Sequence, residues 1–289
     1  MSEAVSPSDV SAVVCTMNSI ASIEQCLTSL RAADVGEIIV VDAASGDGTR
    51  QIAERYADLV LQDPGIGLGT ARNLGIARST KNFILNIGSD NVMPRASLGE
   101  MLRLLTEEGV QGVSARTVVQ GDDYLARSMN AWWSARFRAG PTRVIGTPSL
   151  FDGELLRTHP YDTARQHSDD SELCERWRTQ FDARFAISDA QVFEVGKNSW
   201  GEVALRCRNY GFSDNEVYRS GASMGWTLAR KLKSITHPAR VDLVEPLGRL
   251  GLRRGIEAAP FLAAFTGMRY ASWVRHAWKS THEDPSTAG

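Results

Sequence analysis

Two aspartates stand where apolar runs of the sequence stop. Asp42 closes the run EIIVVD at 37–42, and Asp90 follows the run FILNI at 83–87 after a Gly-Ser pair. Carboxylate oxygens are ligands that Mg²⁺ and Mn²⁺ prefer, and one or two can suffice when phosphate oxygens and water complete the shell. Each aspartate could contact a bound ligand, and the alternative is that it caps backbone amides of a turn.

A second acidic group, SDDSE at 168–172, could move a proton. Asp170 has an ordinary pKa of about 3.9, so it is ionised at neutral pH and could take up a proton. The neighbouring carboxylates of Asp169 and Glu172 would raise that pKa and make Asp170 a better base. Asp169 also fits the capped start of a helix, so Asp169 could be structural while Asp170 is catalytic.

Strands and helices alternate in the part of the sequence that carries Asp42 and Asp90. Nearly continuous apolar runs predict strands at 10–15, 37–42, 59–61 and 83–87. Patterns of helical period lie between them, which predicts an α/β fold with a mostly parallel central sheet flanked by helices. Ligands of such sheets bind outside the carboxyl ends of the strands, so both aspartates should lie at the ligand-binding edge.

The composition indicates a folded protein with a sizeable core. The chain has 289 residues, 43% of them apolar, and its 32 basic and 34 acidic side chains give a net charge of −2. This balance, together with the lack of a recognisable reader motif, predicts no nucleic-acid partner. Four scattered cysteines without a CxxC pair, no leader pattern and no apolar stretch of about 20 residues predict a cytoplasmic protein without a membrane span.

Five segments carry motifs in a fixed order: VVCTMN at 13–18, VVDAASGDGT at 40–49, GLGTARN at 67–73, ILNIGSDN at 84–91 and HSDDSELCERW at 167–177. Together they resemble the motifs of the family 2 glycosyltransferases, which are inverting enzymes with the Rossmann-like GT-A fold and use nucleotide-sugar donors. The resemblance extends over about residues 10 to 220. It implies the GT-A fold, sugar transfer and a divalent cation, Mg²⁺ or Mn²⁺.

The resemblance also implies how the donor would be bound. Asp42 matches a carboxylate that family members use against the nucleobase, and Arg72 matches an arginine near the phosphates. The candidate nucleotide-sugar-binding residues are Thr16, Asn18, Asp42, Arg72, Ser89 and Asp90.

The metal and the base follow from the same resemblance. Asp90 matches the last aspartate of the family's DxD metal motif, whose first position is Gly88 here. Glu194 stands where the family usually has a histidine ligand, so Asp90 and Glu194 would hold the metal. Asp170 matches the catalytic base.

Candidate acceptor contacts are Asp169, Trp132 and Trp133, because aromatic faces suit sugar rings or a lipid interface. The alternative is that both tryptophans pack into the core from an amphipathic helix. The basic segment 226–240 and the basic, aromatic tail that follows predict peripheral contact with the inner face of a membrane, and a homodimer face is the other interpretation.

We therefore expect a metal-dependent inverting glycosyltransferase that moves a sugar from a UDP, GDP or dTDP sugar to a hydroxyl of a surface glycan or glycolipid. One alternative is transfer to a polyprenyl phosphate. Another is a nucleotide-sugar-binding protein without transfer activity, because Ala43 and Gly88 replace two carboxylates of the family. The expected ranges are a flexible N-terminus at 1–9, a catalytic domain at 10–240 with its nucleotide-sugar half at 10–120 and its acceptor half at 121–240, a helical C-terminal appendage at 241–282 and a disordered tail at 283–289.

Overall fold

The computed structural model describes residues 5–164 and 169–282. The first four residues of the predicted flexible N-terminus and the whole predicted tail at 283–289 lie outside the described residues. Among the helices of the described part, none is both long and apolar enough to cross a membrane.

One sheet contains all the strands of the described residues, which are β1 (Val10–Thr16), β2 (Glu37–Asp42), β3 (Leu59–Gln62), β4 (Phe83–Gly88), β5 (Asn91–Val92), β6 (Gly112–Val119), β7 (Gly140–Thr142), β8 (Ser149–Asp152) and β9 (Phe185–Glu194). The strand order is β3-β2-β1-β4-β8-β6-β9-β5, and β7 pairs with β9. The four strands from β3 to β4 are parallel, whereas β8 is antiparallel to both β4 and β6.

The helices of the described residues are α1 (Ile23–Ala32), α2 (Thr49–Tyr56), α3 (Leu68–Arg78), α4 (Arg95–Glu107), α5 (Tyr124–Arg136), α6 (Gly153–Thr158), α7 (Asp169–Phe181), α8 (Trp200–Ser223), α9 (Leu228–Ile235), α10 (His237–Ala239), α11 (Glu245–Leu250) and α12 (Leu252–His282). A 3₁₀ turn at Pro7–Asp9 precedes β1, and a π-helical turn at Arg240–Val244 follows α10.

The chain divides into two compact units. The first, which we call the sheet unit, contains the residues up to Val118 together with Phe137–Gly196. The second, the helical unit, contains Val119–Arg136 and the residues from Lys197 onward. These bounds differ from the functional ranges expected from the sequence, and those ranges stay predictions.

Strand β1 is buried on both faces. Val10, Ala12 and Val14 belong to one hydrophobic cluster of the sheet unit, and Val13 belongs to the other. Burial on both faces explains why this strand and its parallel neighbours are almost continuously apolar in sequence. The predicted α/β fold with a helix-flanked central sheet is confirmed.

The register of the parallel strands brings their carboxyl ends together. Thr16 at the end of β1 lies beside Asp42 at the end of β2, and Cys15 lies beside Gly88 at the end of β4. The residues that follow these strands therefore share one edge of the sheet.

Candidate functional site

Asp42 and Thr16 form the first part of this edge. Both side chains are buried. Asp42 Oδ2 accepts a hydrogen bond from the Ser45 backbone N–H at 3.1 Å, but Asp42 Oδ1 and Thr16 Oγ1 are buried without a hydrogen-bond partner in the described parts of the chain. Buried polar atoms are normally paired, so two neighbouring unpaired oxygens are ready to receive the polar edge of a ligand.

Asn18 links the loop after β1 to the loop after β2 through two hydrogen bonds. Its backbone N–H donates to Ser45 Oγ at 2.8 Å, and its side-chain Oδ1 accepts from the Gly46 N–H at 3.0 Å. Asn18 has a φ of 49°, a left-handed conformation that asparagine tolerates better than most residues. It therefore fixes Ser45, the residue whose backbone N–H binds Asp42.

A pocket of about 250 Å³ lies at the ends of β1 and β4. Its lining residues are Val13, Cys15, Leu68, Arg72, Asn86, Ile87, Gly88, Ser89, Asp90 and Thr147. Three of the predicted donor-binding residues, Arg72, Ser89 and Asp90, thus surround one cavity. Burial raises the pKa of the Cys15 thiol to about 12, so the thiol is neutral there at neutral pH.

Gly88 makes room for the carboxylate of Asp90. A Cβ added at Gly88 would lie 2.6 Å from Asp90 Oδ1, which is closer than real Cβ contacts allow. The position where the family carries its first aspartate is thus filled in part by the side chain of Asp90. A second carboxylate at Gly88 would require Asp90 to move.

Glu194 lies on the strand that pairs with the segment after Asp90. Asn91 of β5 is opposite Glu194 of β9, and the Val195 N–H donates to the Asp90 backbone oxygen at 2.8 Å. Glu194 is buried. In the described ranges no three or more histidine, cysteine, aspartate or glutamate side chains form a ready-made metal site, so Asp90 and Glu194 offer at most a partial ligand set.

Arg72 is a buried arginine that joins the pocket to the acidic start of α7. Its Nη1 donates to Asp169 Oδ2 at 2.7 Å and to Asp170 Oδ1 at 3.1 Å. Its Nη2 donates to Thr147 Oγ1 at 2.7 Å. Although burial opposes it, the charge of Asp170, followed by other anionic neighbours that include Asp169, raises the pKa of Arg72, so the guanidinium stays charged.

Asp170 is held by a second buried chain of hydrogen bonds. The Tyr161 hydroxyl donates to Asp170 Oδ1 at 3.2 Å and accepts from Asn86 Nδ2 at 3.0 Å. Burial is the largest cause that raises the pKa of Asp170 above its ordinary value, and Asp169 adds to it, while Arg72 and Tyr161 oppose it. The direction agrees with the sequence-based prediction, but burial rather than the neighbouring carboxylates is the main cause.

Asp169 and Glu172 have separate partners. Asp169 Oδ1 accepts from the Asp170 N–H at 3.0 Å at the start of α7, and its Oδ2 accepts from Arg72, so both of its oxygens are hydrogen-bonded. Glu172 Oε1 accepts from Arg176 Nε at 2.8 Å.

Sequence reasoning missed Tyr161, Asn86 and Thr147. Asn86 left a signal, because a polar residue inside the apolar run FILNI needs a buried partner. Its Oδ1 is buried and has no partner among the described residues, although Asn86 lines the pocket. Tyr161 and Thr147 belong to no motif.

Trp132 and Trp133 belong to the helical unit, where they lie on α5. Trp132 is fully buried against Phe265, with ring centroids 4.6 Å apart. Trp133 is partly buried, and the Arg206 guanidinium lies 5.2 Å from the centroid of its ring. Trp132 is therefore part of a core, as the alternative interpretation expected, and the acceptor assignment of the two residues stays a prediction.

Residues 11–160, which are more than half of the chain, match the model of the family described as "Glycosyl transferase family 2". The chain belongs to this family. This family 2 glycosyltransferase is also 37% identical over 106 residues to EpsH of Bacillus subtilis (strain 168), which is named as a glycosyltransferase. That match covers 34% of this chain and about a third, 31%, of EpsH.

Two solved structures share the fold of the family 2 glycosyltransferase. The mannosyltransferase PcManGT from Pyrobaculum calidifontis, in complex with GDP-Man and Mn²⁺, has a TM-score of 0.63 and 21% identity over 97% of this chain and 90% of PcManGT. S. aureus TarS 1-349 in complex with UDP has a TM-score of 0.52 and 16% identity over 95% of this chain and 92% of that one. The family and the GT-A fold predicted from the sequence are confirmed.

Proposed function

We propose that this protein transfers a sugar from a nucleotide-diphosphate sugar to a hydroxyl acceptor, with inversion and with help from a divalent cation. The observation that carries the proposal is the position of Arg72. It lines the same pocket as Asp90 and binds the carboxylate of Asp170. Asp90, the candidate cation ligand, and Asp170, the candidate general base, therefore have a common neighbour in the buried Arg72.

The donor would bind along the edge formed by β1, β2 and β4. The unpaired Asp42 Oδ1 can accept an N–H of the nucleobase, and Thr16 Oγ1 can pair with a second polar atom of the base or ribose. UDP, GDP and dTDP sugars all carry N–H groups on the base. PcManGT was solved with GDP-Man and TarS with UDP-GlcNAc, which supports testing both classes of donor.

The oxygen chemistry at the end of β4 fits a hard cation. Asp90 supplies a carboxylate at the pocket, and Glu194 of β9, which pairs with β5 and does not line the pocket, is the candidate for a second ligand. With so few protein ligands, diphosphate oxygens and water would have to complete the shell, as Mg²⁺ sites allow. The bound cation would neutralise the charge that develops on the departing nucleotide diphosphate.

Asp170 could act as the base through one of its two carboxylate oxygens. Its hydrogen bonds to Arg72 and Tyr161 both fall on Oδ1, and Oδ2 has no partner in the described residues. Gly146 lies on the side of Oδ2, where even an added Cβ would make only an ordinary contact at 3.7 Å. The side chain remains 25% exposed, which leaves a path for an acceptor hydroxyl.

The proposed transfer forms one bond, breaks one bond and moves one proton. The acceptor oxygen forms a bond to the anomeric carbon, the bond from that carbon to the diphosphate oxygen breaks, and the hydroxyl proton passes to Asp170 Oδ2. Because Asp170 must be ionised to accept the proton, Arg72 and Tyr161 favour the active form by stabilising its negative charge.

A donor panel tests the proposal. The full-length protein is incubated with UDP, GDP and dTDP sugars, with Mn²⁺ and with a chelator, and nucleotide release is measured with and without hydroxyl acceptors. We expect release from one nucleotide class, dependent on the metal and stimulated by an acceptor. Metal-enhanced binding without any release or transfer would contradict the proposal and indicate a nucleotide-sugar-binding protein.

A further inference from the structure

Helix α9 in the helical unit presents an apolar face that nothing in the described chain covers. None of its 8 residues is buried. Leu228 is 73% exposed and Leu232 is 53% exposed, and Met224, in the turn before the helix, is 71% exposed. Leu228 and Leu232 are four positions apart, so they lie on the same side of the helix.

The same segment is basic. Arg230, Lys231 and Lys233 belong to α9, and no aspartate or glutamate occurs at positions 217–241. In the part of the chain that the structure describes, no carboxylate pairs with any of the three. The Arg230 guanidinium lies 4.6 Å from the centroid of the Trp226 ring instead.

The helix is held in place at both ends. Before its start, the Trp226 ring packs so closely on Gly221 that a Cβ there would lie 2.1 Å from the indole. At its end, the Tyr270 hydroxyl donates to the Ile235 oxygen at 2.7 Å. The exposed leucines are therefore displayed by a fixed helix.

Three apolar side chains of the tail that follows in sequence are buried. Phe261, Leu262 and Phe265 of α12 are fully buried in the core of the helical unit, so these three side chains do not offer a surface for docking. Helix α9 and the turn before it combine exposed apolar side chains with positive charges that have no carboxylate partner among the described residues.

We propose that the α9 face, consisting of Met224, Leu228 and Leu232 with the flanking Arg230, Lys231 and Lys233, docks onto the surface of an anionic lipid bilayer. Apolar side chains on one side of a basic helix insert at the boundary between headgroups and acyl chains, and the basic residues bind anionic headgroups. The charge of the segment selects this partner, since a second copy of the same face would bring like charges together. The docking is independent of the proposed sugar transfer.

Vesicle binding of the full-length protein tests this inference. Co-flotation is measured with vesicles of phosphatidylcholine containing phosphatidylserine and with vesicles of phosphatidylcholine alone, at low and high ionic strength. We expect binding to the anionic vesicles only, weakened by salt because exposed charges are screened. The double variant Lys231→Gln/Lys233→Gln should weaken binding by about fivefold for each charge removed. Leu228→Ser/Leu232→Ser should weaken it by about tenfold or more.

Matched variants keep the result specific. Arg55→Gln/Arg78→Gln removes two exposed charges from helices of the sheet unit, and Leu252→Ser removes an exposed leucine from α12. Both should bind vesicles like the wild type, and far-UV circular dichroism should show that every variant is folded. Equal binding to neutral and anionic vesicles, or an equal loss of binding in the matched variants, would overturn the inference. So would the absence of vesicle binding together with a dimer that the Leu228→Ser/Leu232→Ser variant disrupts.

Discussion

Arg269 in the helical unit and Arg72 in the sheet unit each bind two aspartates, but Asp242 and Asp170 differ in how many of their carboxylate oxygens accept hydrogen bonds. In the helical unit Asp242 is fully buried, and both of its oxygens are occupied. Its Oδ1 accepts from Arg136 and from Trp132 Nε1, and its Oδ2 accepts from Arg269. No oxygen of Asp242 is left for a ligand.

In the sheet unit, Asp170 has hydrogen-bond partners among the described residues on only one of its two carboxylate oxygens. The hydrogen bonds that Asp170 makes with described residues both fall on Oδ1, and its side chain is partly exposed. Buried charges that are fully paired hold a fold together, whereas a charge with an open side can react. We therefore propose that the number of hydrogen-bonded carboxylate oxygens, rather than the Arg–Asp pairing itself, distinguishes a structural group from a candidate catalytic one.

The largest effect should come from removing the open carboxylate. We expect Asp170→Asn to lower kcat for a hydroxyl acceptor by about 10²- to 10⁴-fold, because an amide cannot take the proton. Steady-state kinetics with the donor found in the panel measures this. Glu172→Gln is the matched control, since Glu172 is bound by Arg176 and should leave kcat nearly unchanged. Unchanged transfer by Asp170→Asn would favour a phosphate acceptor, which needs no base.

Replacing the fully buried Asp242 should lower stability and leave kcat nearly unchanged. Asp242→Asn leaves Arg136 and Arg269 without a full countercharge, and we expect the free energy of unfolding to fall by about 3–5 kcal/mol. Urea denaturation measures the loss. Kinetics at a temperature where the variant is folded should give nearly wild-type kcat. An Asp242→Asn variant with wild-type stability but without activity would contradict the structural role of Asp242.

Removing the candidate metal ligand should affect turnover and metal response together. Asp90→Ala should lower kcat/KM by about 10²- to 10³-fold, because charge on the departing diphosphate is less well neutralised. It should also abolish the enhancement of nucleotide-diphosphate binding by Mn²⁺ in calorimetry. Asp122→Ala, at an exposed position of the helical unit, is the control and should change neither. Wild-type metal response in Asp90→Ala would end its assignment as a ligand.

The smallest effect should be a shift of the pH profile. Tyr161 lowers the pKa of Asp170 by hydrogen bonding to its ionised form, while burial raises that pKa. Tyr161→Phe should therefore move the acidic limb of kcat/KM to higher pH, with only a modest loss on the plateau. Tyr56→Phe removes a comparable bond to exposed Glu24 and should leave the profile unchanged. A downward shift in Tyr161→Phe would contradict the proposed role of the tyrosine.

The sequence predicted the elements that are defined by local patterns. The runs at 10–15, 37–42, 59–61 and 83–87 became β1 to β4 with ends that differ by at most one residue, because these apolar runs stop abruptly at polar turns. The strand-end positions of Asp42 and Asp90 follow directly from those bounds.

The rest of the site depends on contacts between distant residues. Arg72 and Asp170 are 98 positions apart, and Tyr161 reaches Asn86 across 75. No periodicity or motif encodes which of several arginines meets which carboxylate. Trp132 shows the same limit, since an aromatic residue on a helix has the same pattern whether it packs in a core or faces a ligand.

The most direct test is a crystal structure of the protein with the nucleotide diphosphate that it binds and Mn²⁺. We predict that the base contacts Asp42 and that the cation lies within about 2.0–2.6 Å of an Asp90 carboxylate oxygen, the range for hard cations with oxygen ligands. A nucleotide bound away from the ends of β1, β2 and β4, or a cation that does not contact Asp90, would contradict the account.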